Sequence, residues 1–439
     1  MAANVGIVGG GIAGSLAALV LRSRSPATSI TVLDAGKRGV GGRFAGGRHP
    51  DSGAVFLRSA GSAQAAQLTH VLSQLEEAGV LARWEGRFGV LGSAGGGFLP
   101  RDILASTAIG QMMRRDIPGA SNLGGNLAGV DFCGLLRGGE EPFYVGRSGN
   151  ASVCEKICAA AGAEVLLSRK VVSVRHLSKG WEVLVQRQSS TSSPSAFSTA
   201  KPDCLAFDAL ILATHDARLA AQAVRTIGTE GASDSESAEQ EQKHLGELAS
   251  ALEEQRHVPV FSWSGLFPPG TSSLLPFDAV SVPGSRIVQF MARNASKPGR
   301  PALEEGGELW TAVSTPAFAA KLLRHEGASG TSMPGDSDLG NRAALAATNL
   351  MASEVCSLFQ QHMLSGVDTP RPLRAAAKRW GAGFATGSLQ HGHDCITLPA
   401  WQLAIAGDFV RERNSPLEAA ALSGLAAGES VGQVIGTCS

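Results

Sequence analysis

The chain has 439 residues, enough for two or three domains or for one large domain with a second one inserted. Its 38 basic and 38 acidic side chains give a net charge of zero, which argues against a nucleic acid or an anionic membrane as partner. Seven cysteines without a CxxC pair argue against the disulfide framework of a secreted protein and against a zinc ribbon.

The chain begins with a predicted strand, a glycine-rich turn and a helix. Residues Asn4 to Val8 are too apolar for an edge strand and predict a buried parallel strand. Small and apolar residues on every side predict a helix from about Ile12 to Ser23, packed against a sheet. Between these elements Gly9, Gly11 and Gly14 have GxGxxG spacing, which is typical of a dinucleotide-binding turn.

Each glycine of this turn has a distinct expected role. The first permits the tight turn, the second lets the backbone approach a pyrophosphate, and the third lets helix and strand pack closely. A second predicted strand, residues 30–33, ends in Asp34, where a carboxylate can accept hydrogen bonds from ribose hydroxyls. Strand, turn, helix and terminal acid together predict a dinucleotide site. The alternative is an ordinary glycine-rich turn without a ligand.

The next segment distinguishes between dinucleotides. Residues 36–43, GKRGVGGR, form a second glycine turn with two arginines after Asp34. A nicotinamide dinucleotide site does not need this turn, whereas an extended FAD needs further donors for its pyrophosphate. Arg43 is the candidate because its guanidinium presents a fixed fork of N–H donors. The segment therefore predicts FAD, and an exposed basic loop is the alternative.

Near the C-terminus a predicted strand ends in Gly407 and Asp408, and a helix begins shortly afterwards. Ser415 fits the N-cap, Pro416 the first helical position and Glu418 the third, as in a capping box. The small residues that follow would let a flat ring lie against the helix start, whose positive end favours a reduced, anionic flavin. Asp408 could accept a hydrogen bond from a ribityl hydroxyl or approach the pyrophosphate. A capped, buried helix without a ligand is the alternative.

The segments VGGGIAGSLAA, LDAGKRGVGGR, DSGAVFL, RKVVSV, FDALILATHDA, KRWGAG, IAGDF and PLEAAALSGLAAGESV occur in an order that resembles the renalase family. These are FAD-dependent oxidoreductases of the wider amine-oxidase superfamily, and the resemblance is closest to the members from photosynthetic eukaryotes. It implies an α/β (α+β overall) protein of p-hydroxybenzoate-hydroxylase-like architecture, with a Rossmann-type FAD-binding domain and an antiparallel-sheet substrate domain.

The resemblance implies a discontinuous FAD-binding domain at residues 1–80, 145–225 and 375–439, and a substrate domain at 81–144 and 226–374. Strand patterns at 258–263, 285–292 and 309–314 suit the sheet of the substrate domain. Three polar inserts, around 188–202, 227–244 and 326–341, are expected to be surface loops.

The resemblance also implies the residues that contact FAD. Gly53 and Ala54 would lie alongside the isoalloxazine, and Val171 would hold the adenine through its backbone. The full implied set is Gly9, Gly11, Ile12, Ala13, Gly14, Asp34, Gly42, Arg43, Gly53, Ala54, Val171, Gly407, Asp408, Ala420 and Ala421.

The chain departs from the family pattern at three places. Val55 and Phe56 stand where the family has Gln-Tyr, His215 where it has Pro, and Asn150 where it has Met. These departures concern the substrate more than the cofactor.

The implied reaction is hydride transfer from a small reduced donor to flavin N5, with reoxidation by O₂ to H₂O₂. The family's donors are NAD(P)H isomers, whose oxidation needs alignment more than a side-chain base. The sequence offers no obvious acid–base pair. An amine oxidase or desaturase-type flavoenzyme is one alternative, although Tyr144 is the single tyrosine and cannot form a two-tyrosine amine cage. A flavin-binding protein without turnover is the other.

Two residues are weak candidates for a part in the chemistry. His215, at the end of a predicted strand, could assist a proton transfer or be a structural histidine. Trp380 could wall the active site or simply pack in the core. His391 and His393 lie on one short loop, but their spacing does not match a zinc site, and no metal is predicted.

Other classes of protein lack their sequence signatures. No GxSxG, HExxH or Walker sequence is present, and no run of 18 apolar residues predicts a transmembrane helix. Because the first strand is predicted from about residue 4, we expect no targeting peptide in this chain and a location in the cytoplasm or an organelle stroma.

Overall fold

The structure is a computed structural model that divides the chain into two compact units. The first unit comprises residues 1–44, 151–256 and 387–439, and the second comprises 45–150 and 257–386. The structure describes residues 2–45, 51, 53–59, 63–92, 97–104, 132–136, 141–187, 201–227, 236–300, 303, 306–326, 338–363, 368–389, 391–413 and 415–437.

The secondary structure of these residues is mixed. The strands, in chain order, are β1 (Asn4–Val8), β2 (Ser29–Leu33), β3 (Leu81–Trp84), β4 (Phe88–Leu91), β5 (Phe98–Pro100), β6 (Phe143–Gly146), β7 (Glu164–Leu166), β8 (Arg169–Leu177), β9 (Gly180–Arg187), β10 (Asp203–Phe207), β11 (Ala209–Leu212), β12 (His257–Phe267), β13 (Ala279–Ser281), β14 (Val288–Arg293), β15 (Glu308–Ser314), β16 (Arg374–Ala385), β17 (Ile396–Leu398) and β18 (Leu403–Ile405). The helices are α1 (Ile12–Arg24), α2 (Gly42–Ala45), α3 (Ala66–Glu77), α4 (Arg101–Leu104), α5 (Ala151–Ala160), α6 (Ala217–Thr226), α7 (Glu236–Glu253), α8 (Pro316–His325), α9 (Asp338–His362) and α10 (Pro416–Thr437). Within the described residues, no helix is long and apolar enough to cross a membrane.

The first unit is built on a six-stranded sheet in the order β17-β18-β11-β1-β2-β7. Strand β1 lies near the middle and pairs in parallel with β2 and β11, Val5 opposite both Ile30 and Ala209. All pairs are parallel except β17 with β18. Val5 and Ile7 are fully buried, which explains the apolar sequence of β1. The carboxyl ends of β1 and β2 therefore lie side by side.

Helices α1 and α10 of the first unit pack closely because glycines face the backbone of α1. A Cβ on Gly424 would lie 2.2 Å from the carbonyl oxygen of Ala13, and one on Gly428 would lie 2.5 Å from that of Ala17. Their four-residue spacing places both glycines on one face of the helix. The small residues of this helix are thus required for packing along most of its length.

A three-stranded antiparallel sheet, β10-β9-β8, and the helix pair α6 and α7 complete the first unit. Residues 236–244, predicted as part of a surface loop, are helical instead. The reason is the pattern Leu245, Ala249 and Leu252, which gives α7 one buried face. The third insert also becomes helical from Asp338. Residues 188–200, 228–235 and 327–337 of the three inserts lie outside the described residues.

The second unit contains a seven-stranded sheet in the order β16-β12-β15-β14-β13-β4-β5 and a two-stranded pair, β3 and β6. Its strand pairs are antiparallel apart from β13 with β4. Helix α9 covers this sheet, with Met351 and Phe359 fully buried in a core that includes Trp263 and Trp310. The three strands predicted for the substrate domain all lie in this sheet.

The compact units differ from the predicted domain bounds at four segments, 45–80, 145–150, 226–256 and 375–386. Residues 145–150 and 375–386, predicted for the FAD-binding domain, fall in the second unit. Residues 45–80 fall in the second unit, where the backbones of Leu57 and Tyr144 exchange hydrogen bonds of 2.7 and 2.8 Å. Residues 226–256 fall in the first unit because α7 packs on α6. The assignment of FAD and substrate to separate domains stays a prediction.

Candidate cofactor site of the first unit

The turn between β1 and α1 contains two glycines that the fold itself requires. Gly9 has φ of +103°, and a Cβ there would lie 2.5 Å from the carbonyl oxygen of Ala213. A Cβ on Gly14 would lie 1.9 Å from the carbonyl oxygen of Gly9. Neither position can hold a side chain without movement of the backbone, so both glycines serve the turn and the packing of α1 against β1.

Gly11 differs from these two glycines. Among the described residues, no atom beyond its chain neighbours and the backbone of its own helix lies within 4 Å of a Cβ built at this position, and its φ of −74° is an ordinary value for any residue. The described residues therefore do not exclude a side chain here. The approach of a ligand to this backbone, predicted for the second glycine of the motif, stays a prediction.

Gly11 is also the N-cap of α1. It makes no side-chain capping hydrogen bond, and the first turn of the helix contains no acidic residue. The amide groups of the first turn and the positive end of the helix dipole are thus available to an anion. Ile12 and Ala13 are each only 5% exposed, so they can contribute through their amide groups more than through their side chains.

Asp34 at the end of β2 connects the two glycine turns. Its Oδ2 accepts a hydrogen bond of 2.8 Å from the amide of Gly10, and its Oδ1 accepts one of 2.6 Å from the amide of Gly36. A carboxylate offers about four lone-pair sites, so it can brace both turns and still accept a ribose hydroxyl. Sequence reasoning named Asp34 but missed Gly10 and Gly36, although both lie in the glycine-rich segments it quoted.

Arg43 and Asp408, both predicted to contact FAD, form a bidentate ion pair with each other. Nη1 lies 2.8 Å from Oδ2, and Nη2 lies 2.9 Å from Oδ1. The Asp408 carboxylate is 1% exposed and the Arg43 side chain 28%. The pair fixes the guanidinium in one orientation at the end of the second glycine turn. Gly42 precedes Arg43 with φ of +49°, and its Cβ would lie 3.7 Å from Gly11 Cα.

The start of α10 is capped as the sequence indicates. The hydroxyl of Ser415 accepts a hydrogen bond of 3.1 Å from the amide of Glu418. The amide of Gly407 donates to the Ser423 hydroxyl at 3.0 Å, which ties the end of β18 to the helix. The side chains next to this tie are enclosed by protein, since Ala420 and Ala421 are 6% and 0% exposed. Contact of this helix with a flavin stays a prediction.

Val171 lies on β8, two residues after Arg169, whose backbone contacts that of Asp34. The amide of Arg169 donates to the backbone oxygen of Asp34 at 2.9 Å, which places the start of β8 beside the end of β2. The pairing of β8 with β9 is irregular between Val171 and Ser173. This position is consistent with the predicted backbone contact to adenine.

The structure gives the two weak catalytic candidates ordinary contacts. His215 is exposed just after β11, beside Asp216, which caps α6. Trp380 lies on β16 in the second unit, where its indole N–H donates to the Ser262 hydroxyl at 3.0 Å and Lys378 Nζ lies 3.8 Å from its ring. A part of either residue in the chemistry stays a prediction.

The loop that contains His391 and His393 is held by contacts within the loop and with Arg413. His391 Nδ1 lies 3.2 Å from the backbone oxygen of His393, and Asp394 pairs with Arg413. Among the residues that the structure describes, no group of three or more His, Cys, Asp or Glu side chains could hold a metal ion.

Comparison with known proteins identifies the fold of the chain. Residues 7–74 match a family model described as an NAD(P)-binding Rossmann-like domain. A sequence search among curated proteins finds no match.

Three solved structures are similar over nearly the whole chain. The first is from Exiguobacterium sp. 255-15 and is named as a protoporphyrinogen oxidase. Its TM-score is 0.58 at 15% identity, and the alignment covers 99% of both chains. Wild-type putrescine oxidase bound to putrescine has TM-score 0.54 at 14% identity, covering 100% of this chain and 99% of that one. An oxidoreductase from Methanosarcina mazei has TM-score 0.57 at 12% identity, covering 97% and 100%. Similarity at these identities establishes the fold, and the predicted fold class is confirmed.

Proposed function

We propose that this chain is an FAD-dependent oxidoreductase whose first unit binds the cofactor. The observation that carries the proposal is the open space at Gly11, where a Cβ would meet none of the described residues, at an N-terminus of α1 that no side chain caps. Asp34 and the Arg43–Asp408 pair supply the acceptor and the donor that an extended dinucleotide needs beyond this point. The similar structures, whose names include oxidases and an oxidoreductase, favour a redox function over a passive one.

The residues present fit an FAD molecule. The first-turn amides of α1 would hold one phosphate, Asp34 the ribose and Arg43 the second phosphate. When bound, FAD supplies the hydride-accepting chemistry. The chain's own residues orient it: Asp34 holds the two glycine turns together, and Asp408 holds the guanidinium in place. Val171 is the proposed contact at the adenine and Gly407 at the ribityl chain. Ala420 and Ala421 are proposed to lie under the pyrimidine edge of the flavin.

The donor that we propose is a small reduced molecule of the NAD(P)H-isomer class, with O₂ as acceptor and H₂O₂ as product. The support is the renalase-like order of motifs in the sequence. Hydride transfer from an electron-rich dihydropyridine ring needs alignment rather than a base.

An anaerobic donor panel tests this substrate class. We expect NAD(P)H isomers to bleach the flavin band near 450 nm within seconds, and putrescine and other amines to leave it unchanged over the same time. Admission of air should restore the band and produce about one H₂O₂ per donor oxidised. Bleaching by amines but not by the isomers would reject the proposed donor and establish amine oxidation. Bleaching by neither class would favour a flavin-binding protein without turnover.

A further inference from the structure

The first unit contains a cleft of about 340 Å³ beside β17, the strand at one edge of its six-stranded sheet. Strands β18 and β11 separate β17 from β1, so the cleft lies away from the glycine turn that follows β1. Its volume falls in the range of small-molecule sites, about 300–1,000 Å³. The polar residues of its lining are His393, Asp394, Cys395, Thr397, Arg411 and Ser430. None of them belongs to the proposed cofactor site.

Arg411 supplies the positive charge of this cleft. Its Nη1 donates to the carbonyl oxygen of Gly392 at 3.1 Å. Because this partner is neutral, the contact orients the guanidinium without cancelling its charge. A guanidinium has five N–H donors in a planar fork, and an oxyanion can accept two of them at once. The cleft therefore presents a group that suits an anion.

The acidic groups at the cleft are balanced by partners of their own. Asp394 Oδ1 accepts a hydrogen bond of 2.9 Å from Arg413 Nε, and Nη2 of the same guanidinium contacts the same oxygen. Glu429 on α10 pairs with Arg24, whose Nε lies 2.7 Å from its Oε2. Since both carboxylates have a cationic partner, the positive charge of Arg411 remains in excess.

The other polar groups of the lining are neutral. Thr397 on β17 and Ser430 on α10 contribute hydroxyls, which can donate to an anion. His393 contributes a ring N–H that can do the same. Burial, together with Asp394, raises the pKa of the Cys395 thiol to about 12, so the sulfur adds no negative charge at neutral pH. The cleft thus combines one excess cation with several neutral donors.

We propose that this cleft binds the phosphate group of a small phosphorylated molecule. A phosphate group has three strong acceptor oxygens, enough for the guanidinium and for the hydroxyl and imidazole donors of the same cleft. A carboxylate has two oxygens to share among them. Phosphate alone would fill only part of the 340 Å³, which leaves space for the rest of the molecule. The inference does not depend on the proposed function.

A titration with inorganic phosphate at constant ionic strength, followed by phosphorus NMR, tests this site. We expect the wild-type protein to bind phosphate with a Kd of about 1 mM. Arg411→Gln keeps a donor for the Gly392 carbonyl but loses the charge, and it should weaken phosphate binding by about tenfold or more. Ser430→Ala, a substitution that suits a helix, should weaken phosphate binding by about threefold.

Arg187→Gln is the matched control. It removes the same charge from the surface of the same unit, where Arg187 Nε lies 2.7 Å from Asp203 Oδ2, and it should leave phosphate binding unchanged. An equal loss in Arg187→Gln and Arg411→Gln would indicate a general effect of charge and reject the site. No binding by the wild-type protein at about 20 mM phosphate would reject it as well.

Two further comparisons identify the place and the chemistry of binding. If Arg43→Gln weakens phosphate binding and Arg411→Gln does not, the phosphate lies at the glycine turns and the proposal is overturned. If acetate binds as tightly as phosphate, the assignment to a phosphate group is wrong and a carboxylate ligand replaces it. None of these results depends on whether the protein binds FAD, so the proposed function is tested separately.

Discussion

Gly11→Ala is expected to leave the fold intact and to remove most of the FAD from the purified protein. Among the described residues, the added methyl group meets no atom within 4 Å apart from its chain neighbours and the backbone of its own helix, and the φ there is ordinary for any residue. It would instead occupy the space in which a phosphate oxygen approaches the N-terminus of α1. We expect an FAD dissociation constant at least about tenfold higher, the equivalent of about 1.4 kcal/mol. Flavin titration of the FAD-free protein measures it, and thermal unfolding of that protein should match wild type.

Gly14→Ala is the matched counterpart, because its methyl group would lie 1.9 Å from the carbonyl oxygen of Gly9. A clash with backbone at the junction of β1 and α1 should destabilise the protein by about 2–3 kcal/mol or more, with or without FAD. Equal stability of the two variants would show that the space around these glycines is not as described. Tight FAD binding by Gly11→Ala would remove the observation that carries the proposed function.

Asp51→Ala should strongly destabilise the protein. It removes the negative partner of Lys297 and Arg300 and leaves two cations in a site that is almost closed to water. Loss of one partner of a buried ion pair typically costs about 3–5 kcal/mol. Urea unfolding of the FAD-free protein measures the change. A loss below about 1 kcal/mol would mean that solvent reaches the cluster.

The same cluster should give the stability a distinctive pH dependence. Burial, opposed by Asp51, lowers the pKa of Lys297 from 10.5 to about 8. Between these values the unfolded chain binds more protons than the folded one, so stability should rise as pH increases from about 8 to about 10.5, by up to roughly 3 kcal/mol. Lys297→Met should remove this rise. An unchanged pH profile in the variant would show that Lys297 keeps an ordinary pKa.

Asp51 acts at the opposite end of the pH scale. Burial would raise the pKa of Asp51, but Lys297 and Arg300 overcome that effect and hold it below its ordinary value of 3.8. The stabilisation is therefore complete above that value and is lost as pH falls through the lower pKa of the folded state.

Local signals predicted the part of the site that is continuous in sequence. The spacing of Gly9, Gly11 and Gly14 predicted the turn between β1 and α1, because it is a pattern within six consecutive residues. Asp34 was predictable as the residue after a strand that pairs with β1. The cap by Ser415 was predictable for the same reason, since a capping residue acts on an amide three positions along the chain.

Pairs that are distant in sequence left no such signal. Arg43 and Asp408 are separated by 365 positions, and each was interpreted as a ligand contact rather than as the partner of the other. Asn150 was interpreted as a weakened position, because its meaning depends on Asp51, 99 residues earlier, and on two backbone carbonyls. A buried network of this kind is defined by the folded chain and not by spacing.

The polar composition of residues 227–244 led us to predict a loop, and that prediction was wrong from Glu236 onward. Residues 227–244 contain many polar residues, yet α7 begins at Glu236. The apolar positions that anchor this helix, from Leu245 onward, lie beyond the predicted loop. The helix therefore extends into the polar segment because the packing that stabilises it comes later in the chain.

The central claim is that the first unit binds FAD, and the visible spectrum of the purified protein tests it most directly. We predict absorption bands near 375 and 450 nm, and the release by acid of about one FAD per chain. A colourless protein that takes up no added FAD, although its circular dichroism is that of a folded α/β chain, would contradict the claim.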